Sequence, residues 1–182
     1  MPYVGVGQEA CTPLDDRKIE DSWIAGEALK RGDTETYKEA VVGGSYDRET
    51  ALFGYGGEIR NSKSFMDLVK IGLRAPEYSL MDVWRVKKGV DFTHATLKDD
   101  VGAGRPMMDE IRSLQVPVYF FEGRHDYTAP FACAERYMEQ IQAPKKRLVW
   151  FDNSAHFPFL EEKEKFARAL EQVAREAGAG SP

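Results

Sequence analysis

The chain has 182 residues, 42% of them hydrophobic and 30% charged, and its 25 Lys and Arg against 30 Asp and Glu leave a net charge of −5. That length suits one domain of about 100–200 residues, and the composition excludes a disordered tail, a collagen-like chain and a mucin-like stalk. Lys and Arg are spread along the sequence and form no block that would track a phosphate backbone, so nucleic acid is not an expected partner.

The first apolar run, Tyr3-Val4-Gly5-Val6, is ended by Gly7-Gln8 and predicts a short strand that begins almost at once. No stretch reaches the roughly 18 apolar residues of a membrane span, and Met1 to Gly7 lacks the basic region of a leader. A cytoplasmic setting with no membrane partner is therefore expected. Two cysteines, Cys11 and Cys133, are too few for a disulfide framework and have no metal-ligand spacing around them. They are expected to be reduced, buried thiols, with no metal and no cofactor.

Residues 9–115 carry no convincing strand and several helix signals. One helix is predicted from Asp15/Asp16 to Arg31, closed by Gly32. A second starts after Asp33, reaches Val42 and stops at Gly43-Gly44. Ser64-Phe65-Met66-Asp67 has capping-box spacing, followed by Leu68, Val69, Gly72 and Leu73 at helical intervals. Ser79-Leu80-Met81-Asp82 repeats the cap before Val83, Trp84 and Val86, and a short helix is predicted over 107–114.

Strand character returns at Val116-Pro117-Val118-Tyr119-Phe120-Phe121. Its apolar residues are consecutive and do not alternate, the pattern of a strand buried on both faces of a parallel sheet. A helix over 130–142 and a strand over 147–151 complete a strand–helix–strand unit. A last helix is predicted over 161–177, with Glu161, Glu162 and Glu164 favouring its N-terminal dipole, Gly178 ending it and a tail after that. The segments are thus a core strand (1–8), a helical insertion (9–115), a strand–helix core (116–178) and a tail (179–182). Together they make an α/β fold of parallel strands with flanking helices.

In open parallel sheets reactive groups gather beyond the carboxyl ends of the strands. Asp126 follows one strand, in Gly123-Arg124-His125-Asp126-Tyr127, and His156 follows the next, in Asn153-Ser154-Ala155-His156. A carboxylate and an imidazole on neighbouring loops at one sheet edge can pair, which fixes the tautomer and stabilises the imidazolium. Taken singly, Asp126 could simply cap a turn before the helix at Pro130, and His156 could be structural or exposed. His125 and Asp152 are local alternatives, but each lies closer to its strand end. His94, in the insertion, has no partner pattern and is expected to be structural.

Val116 through Asp126, with Asn153-Ser154-Ala155-His156, resembles the acid and histidine segments of the α/β-hydrolase superfamily, in the form of its proline iminopeptidase-like branch. The insertion, notably Tyr55-Gly56-Gly57-Glu58-Ile59 and Ser79-Leu80-Met81-Asp82, resembles that branch's helical cap. Tyr3 through Gln8 looks like the strand that precedes the cap. The resemblance implies the C-terminal part of the fold with a cap, Asp126 as the acid and His156 as the general base of a Ser-His-Asp triad.

The same resemblance expects a serine upstream on a Gly-x-Ser-x-Gly elbow, and the sequence contains no such string. Gly43-Gly44-Ser45-Tyr46-Asp47 lacks the closing glycine and follows a predicted helix, so Ser45 is expected to be a loop residue. The chain is therefore expected to be inactive alone. A missing N-terminal hydrolase segment, or self-association through the open edge of the first strand, is the expected partner besides a small-molecule or short-peptide substrate. Caps of this branch supply carboxylates for a substrate amino group. Glu27, Glu39 and Glu58 lie in the cap but are equally solvated charges, and Trp84, Phe53 and Tyr55 are as readily cap core as pocket, so no substrate residue is assigned. An aminopeptidase or an esterase fits equally. The alternatives are a non-catalytic small-ligand binder and an Asp-nucleophile dehalogenase or epoxide hydrolase relative.

Overall fold

The computed structural model describes residues 1–62, 64–76, 79–102 and 106–179. Among these residues three parallel strands form one sheet in the order β1 (Tyr3–Val6), β2 (Val118–Gly123), β3 (Lys146–Phe151), with Tyr3 opposite Val118 and Phe121 opposite Val149. Among the described residues six helices fill the connection from β1 to β2: α1 (Pro13–Arg31), α2 (Thr34–Val42), α3 (Arg48–Tyr55), α4 (Phe65–Arg74), α5 (Leu80–Gly102) and α6 (Met107–Glu110). The β2–β3 crossover is α7 (Phe131–Gln140), and α8 (Pro158–Glu161) and α9 (Lys163–Ala179) close the chain.

The consecutive apolar residues of β2 serve two faces. Val118 and Phe120 join Cys133, Ala134, Tyr137 and Met138 on the α7 side, while Tyr119 and Phe121 join Phe151 and Val173 on the α9 side. Each is all but removed from water, so β2 is the spine that both layers share. Burying a side chain of this size contributes about 1.5–3 kcal/mol. On α9 the inward face is Phe166, Ala169 and Val173; Leu170 and Ala174 point to solvent.

Local capping accounts for the first helices of the insertion. Thr12 and Asp33 accept from the backbone N–H of Asp15 and Thr36, and Gly32 and Gly43 end α1 and α2 in the left-handed region. α1 to α3 share a core of Ile24, Ala25, Ala40, Ala51 and Leu52. Trp23 of α1 stacks on Tyr127, which follows β2, with centroids 4.3 Å apart and planes 12° from parallel, fastening the insertion to the sheet's loop edge. α4 and α5 contact each other, and Met81, Trp84, Val86 and Phe92 of α5 are exposed. The side chains of Phe65, Val83 and His94 lie outside the described residues.

Four expectations are corrected. Cys11 and Cys133 are not free thiols; they form a disulfide across 122 residues of sequence. The strand order brings the end of β1 beside the start of α7, a proximity that spacing does not reveal. The helix expected over 161–177 is two, because the backbone leaves the helical region at Glu162 and the Glu161 and Glu162 carboxylates turn onto the loop after β3. α9 continues through Gly178, which has no positive φ, to Ala179. The helix expected over 107–114 stops at Glu110, since Ser113 and Leu114 pair instead with Gln142. A further helix, α3, lies where none is expected; Asp47 caps it and Gly56 ends it.

Candidate active site

Two loops leave the carboxyl edge of the sheet side by side. At the end of β2 a Cβ on Gly123 would fall 2.0 Å from the Ala155 carbonyl oxygen and 2.5 Å from that of Ser154. Only glycine lets the loops touch there. Arg124 N–H then donates to Phe151 O at 3.0 Å and His125 N–H to Ser154 O at 3.0 Å, zipping the acid loop to the histidine loop.

Asp126 is fully buried, and its Oδ1 accepts from the backbone N–H of Thr128 at 3.0 Å and of Ala129 at 2.9 Å. Its Oδ2 lies 2.9 Å from His156 Nδ1. The pair drawn from the sequence is thus brought together, and its two local alternatives are not. Asp152 is exposed and pairs with Lys165 at 3.0 Å, and the His125 pKa is held down by burial and by the Arg60 charge.

Burial pushes the Asp126 carboxyl up from its usual range, against the His156 hydrogen bond and charge and the two backbone donors. At His156 burial acts downward, but the Asp126 hydrogen bond and charge, with Glu58 and Glu9, carry the imidazole above 6.5. With Nδ1 committed to Asp126, Nε2 is the nitrogen left to take and return a proton.

The sequence singled out the dyad but not what holds it. The Tyr55–Ile59 segment of the insertion runs between the two loops: Tyr127 N–H donates to Gly57 O and His156 N–H to Glu58 O, both at 3.0 Å. The Thr128 hydroxyl donates to Glu58 Oε2, and burial raises the Glu58 pKa. Glu161 accepts from the N–H of Arg60 and of Ala155, each at 2.7 Å, tying the same segment to the histidine loop. Gly7, with φ +56°, closes the site from the β1 side. The double glycine before Glu58 and the glycine ending β1 were the available signals.

The other candidates stand apart. Glu27 is bound to Lys30 and Arg31, Ser45 is exposed in the loop after α2, and Tyr55 donates to Asp33 at 2.7 Å. Phe53 is buried in the cap, whereas Trp84 is 53% exposed with Lys88 over its ring. Glu39 is half-buried. Open depressions beside Ile59, Ser62 and Ile71, and along Asp21 and Ala40, are lined by neither Asp126 nor His156. Among the described residues Cys11, Asp16 and Cys133 bring potential metal-ligand atoms within 4.8 Å of one another, but the two sulfurs are bonded to each other and offer no thiolate.

A parallel sheet with flanking helices and a helical insertion between its first two strands is the architecture of part of an α/β-hydrolase fold. Among solved structures the chain is similar to proline iminopeptidase of Mycobacterium smegmatis, with a TM-score of 0.61 and 15% identity over 96% of this chain and 56% of that one. It is also similar to Est816, described as an N-acyl homoserine lactone degrading enzyme, with a TM-score of 0.50 and 17% identity over 94% of this chain and 57% of that one. In sequence it is 32% identical over 103 residues to "Probable aminopeptidase YbaC" of Bacillus subtilis (strain 168), a match covering 57% of this chain and 32% of the relative. The chain thus matches about a third of that relative's length. No protein-family model matches the chain. Among the described residues no helix is long and apolar enough to cross a membrane.

Proposed function

We propose that the chain supplies the acid and general base of a serine hydrolase acting on small amides or esters by acyl transfer, with the nucleophile contributed by a segment outside these 182 residues. The observation that carries this reading is the 2.9 Å contact between His156 Nδ1 and the fully buried Asp126 carboxylate. In it, His156 Nε2 takes the serine proton during attack on the carbonyl and returns it to the leaving group. Asp126 holds the tautomer and stabilises the imidazolium. Backbone N–H groups hold the oxyanion, and water then releases the acyl-enzyme.

Residues 9–115 serve as the cap, bound to the acid loop through Trp23 and Tyr127 and to both loops through the Gly57–Glu58 backbone. The likeness to an aminopeptidase and to a proline iminopeptidase favours an aminoacyl substrate. Of the three cap glutamates considered, Glu58 is the one beside His156.

The test begins with the genomic sequence immediately upstream of the Met1 codon. The reading expects a strand–Gly-x-Ser-x-Gly–helix segment in frame or separately encoded. The protein carrying both parts should hydrolyse aminoacyl anilides or aryl esters and lose at least about 10³-fold in kcat on His156→Ala. Ala or Gly at the elbow, with ligand binding but no turnover, overturns it in favour of a binding protein; Asp there overturns the serine mechanism.

A further inference from the structure

Cys11 lies between β1 and α1, and Cys133 lies on the first turn of α7. Their disulfide lies between a guanidinium and a buried carboxyl. Arg136 Nη2 lies 2.8 Å from Cys11 Sγ and 3.3 Å from Cys133 Sγ, and the buried Asp16 places Oδ1 3.4 Å from Cys133 Sγ. Burial, with Glu9 and Asp15, raises the Asp16 pKa to about 7, so near neutrality this carboxyl has a proton to give. The disulfide sulfurs have none.

Both ends of the bond lead to the dyad. Upstream of Cys11, Gly7 lies against the His156 ring. Upstream of Cys133, the start of α7 is built on the acid loop: Phe131 N–H donates to Asp126 O at 3.1 Å and Ala129 N–H to Asp126 Oδ1 at 2.9 Å. The disulfide therefore closes a circuit that runs from Asp126 through α7 to Cys11, back to Gly7 and across to His156.

We propose that Cys11–Cys133 is a reversible thiol–disulfide site whose opening by a dithiol reductant loosens the β1 end from the dyad, so that redox state sets the fit of His156. Cys11 is 6% exposed and Cys133 1%, so a reductant reaches Cys11 first. Its first thiol loses a proton to solvent and the thiolate attacks Cys11 Sγ. The S–S bond breaks, its electron pair leaves on Cys133 Sγ, and Asp16 protonates that sulfur. The reductant's second sulfur then attacks the first, its proton restoring Asp16, and Cys11 departs as a thiolate facing Arg136. The reductant leaves as its cyclic disulfide, oxidised by two electrons, and the protein pair is reduced by two. This inference is independent of the proposed hydrolysis.

The experiment titrates the purified 182-residue chain with dithiothreitol at graded reduced-to-oxidised ratios. Alkylation detected by mass counts the thiols, and the His156 imidazole resonance reports on the dyad. Expected are no reactive thiols in the oxidised protein, two appearing together on reduction, a moved His156 signal, and full recovery of both on reoxidation. In Arg136→Gln the reductant ratio at the midpoint should rise about tenfold, since a charge-assisted contact to the thiolate is lost. Free thiols that will not oxidise, or an unchanged His156 signal after reduction, overturn the proposal. So does a reduced chain that loses all tertiary signals, for the bond is then a structural strut and not a switch.

Discussion

Gly7 and His156 are in direct contact: a Cβ on Gly7 would fall 2.7 Å from both Cε1 and Nδ1 of the imidazole and 3.3 Å from Asp126 Oδ2. The glycine that ends β1 is therefore one wall of the dyad. It extends the β1–β2 ladder by donating to Phe121 O at 3.2 Å and then turns at φ +56°, a region that L side chains enter at a cost of roughly 1–2 kcal/mol. The strand that precedes the insertion thus bears directly on the histidine that follows β3.

Gly7→Ala should combine that backbone cost with displacement of the ring. The variant is expected to fold with a stability loss of about 1–3 kcal/mol in urea, and its His156 imidazole should titrate lower than in the wild type because the Asp126 contact is stretched. A variant with unchanged imidazole titration would show that the contact at Gly7 does not position the ring.

Glu122 gives a prediction in pH. Its side chain is fully buried at the end of β2; Oε1 accepts from Gln8 N–H at 2.9 Å and Oε2 has no partner among the described residues. Burial raises its pKa to about 9, so between about 4.5 and 9 the folded protein keeps a proton that the unfolded chain releases. A raised pKa means that this group's contribution is complete below 4.5 and lost as pH rises through the folded value. The slope is at most about 1.4 kcal/mol per pH unit. Glu122→Gln keeps an acceptor for Gln8 without the proton, so its stability relative to wild type should improve from pH 5 to pH 8. A constant difference across that window would contradict the assignment.

Glu161 holds the histidine loop through the Ala155 N–H and the cap segment through the Arg60 N–H. Glu161→Ala leaves the first of these unsatisfied beside the fully buried Ala155 and should cost about 1–3 kcal/mol. Hydrogen exchange at Ala155 and His156 should speed up selectively, while amides of β2 stay protected. Uniform acceleration throughout the chain would mean that the effect is global and not a loosening of the loop.

How far the sequence carried the fold can be judged from particular residues. β2 was legible because four successive apolar residues, Val118 to Phe121, must serve two covered faces. The dyad was legible because Asp126 and His156 each follow a strand, and adjacent parallel strands end on one edge. The helix start at Asp33 was legible because its carboxylate caps locally, whereas α1 starts at Pro13 after the Thr12 cap, ahead of the expected Asp15/Asp16. The contacts that cross the chain were hidden. Cys11 meets Cys133, Gly7 meets His156, and Glu58 meets Thr128 only once the strand order has been set. Glu161 and Glu162 have the look of helix-dipole residues, and only the path of the 152–157 loop shows that they hold it instead.

The most direct measurement of the central claim is the NMR titration of the His156 imidazole, with His156→Ala assigning the signal among the three histidines. Burial alone would lower its pKa, and the buried Asp126 carboxylate reverses that. The folded protein thus holds the imidazolium more tightly than the unfolded chain. That stability is complete below about 6.5 and is lost as pH rises through the folded value, above which Nε2 is free to act as a base. The account predicts a wild-type midpoint above 6.5 that falls on Asp126→Asn, in a protein that stays folded. A midpoint at or below 6.5, or one indifferent to Asp126→Asn, would contradict the dyad.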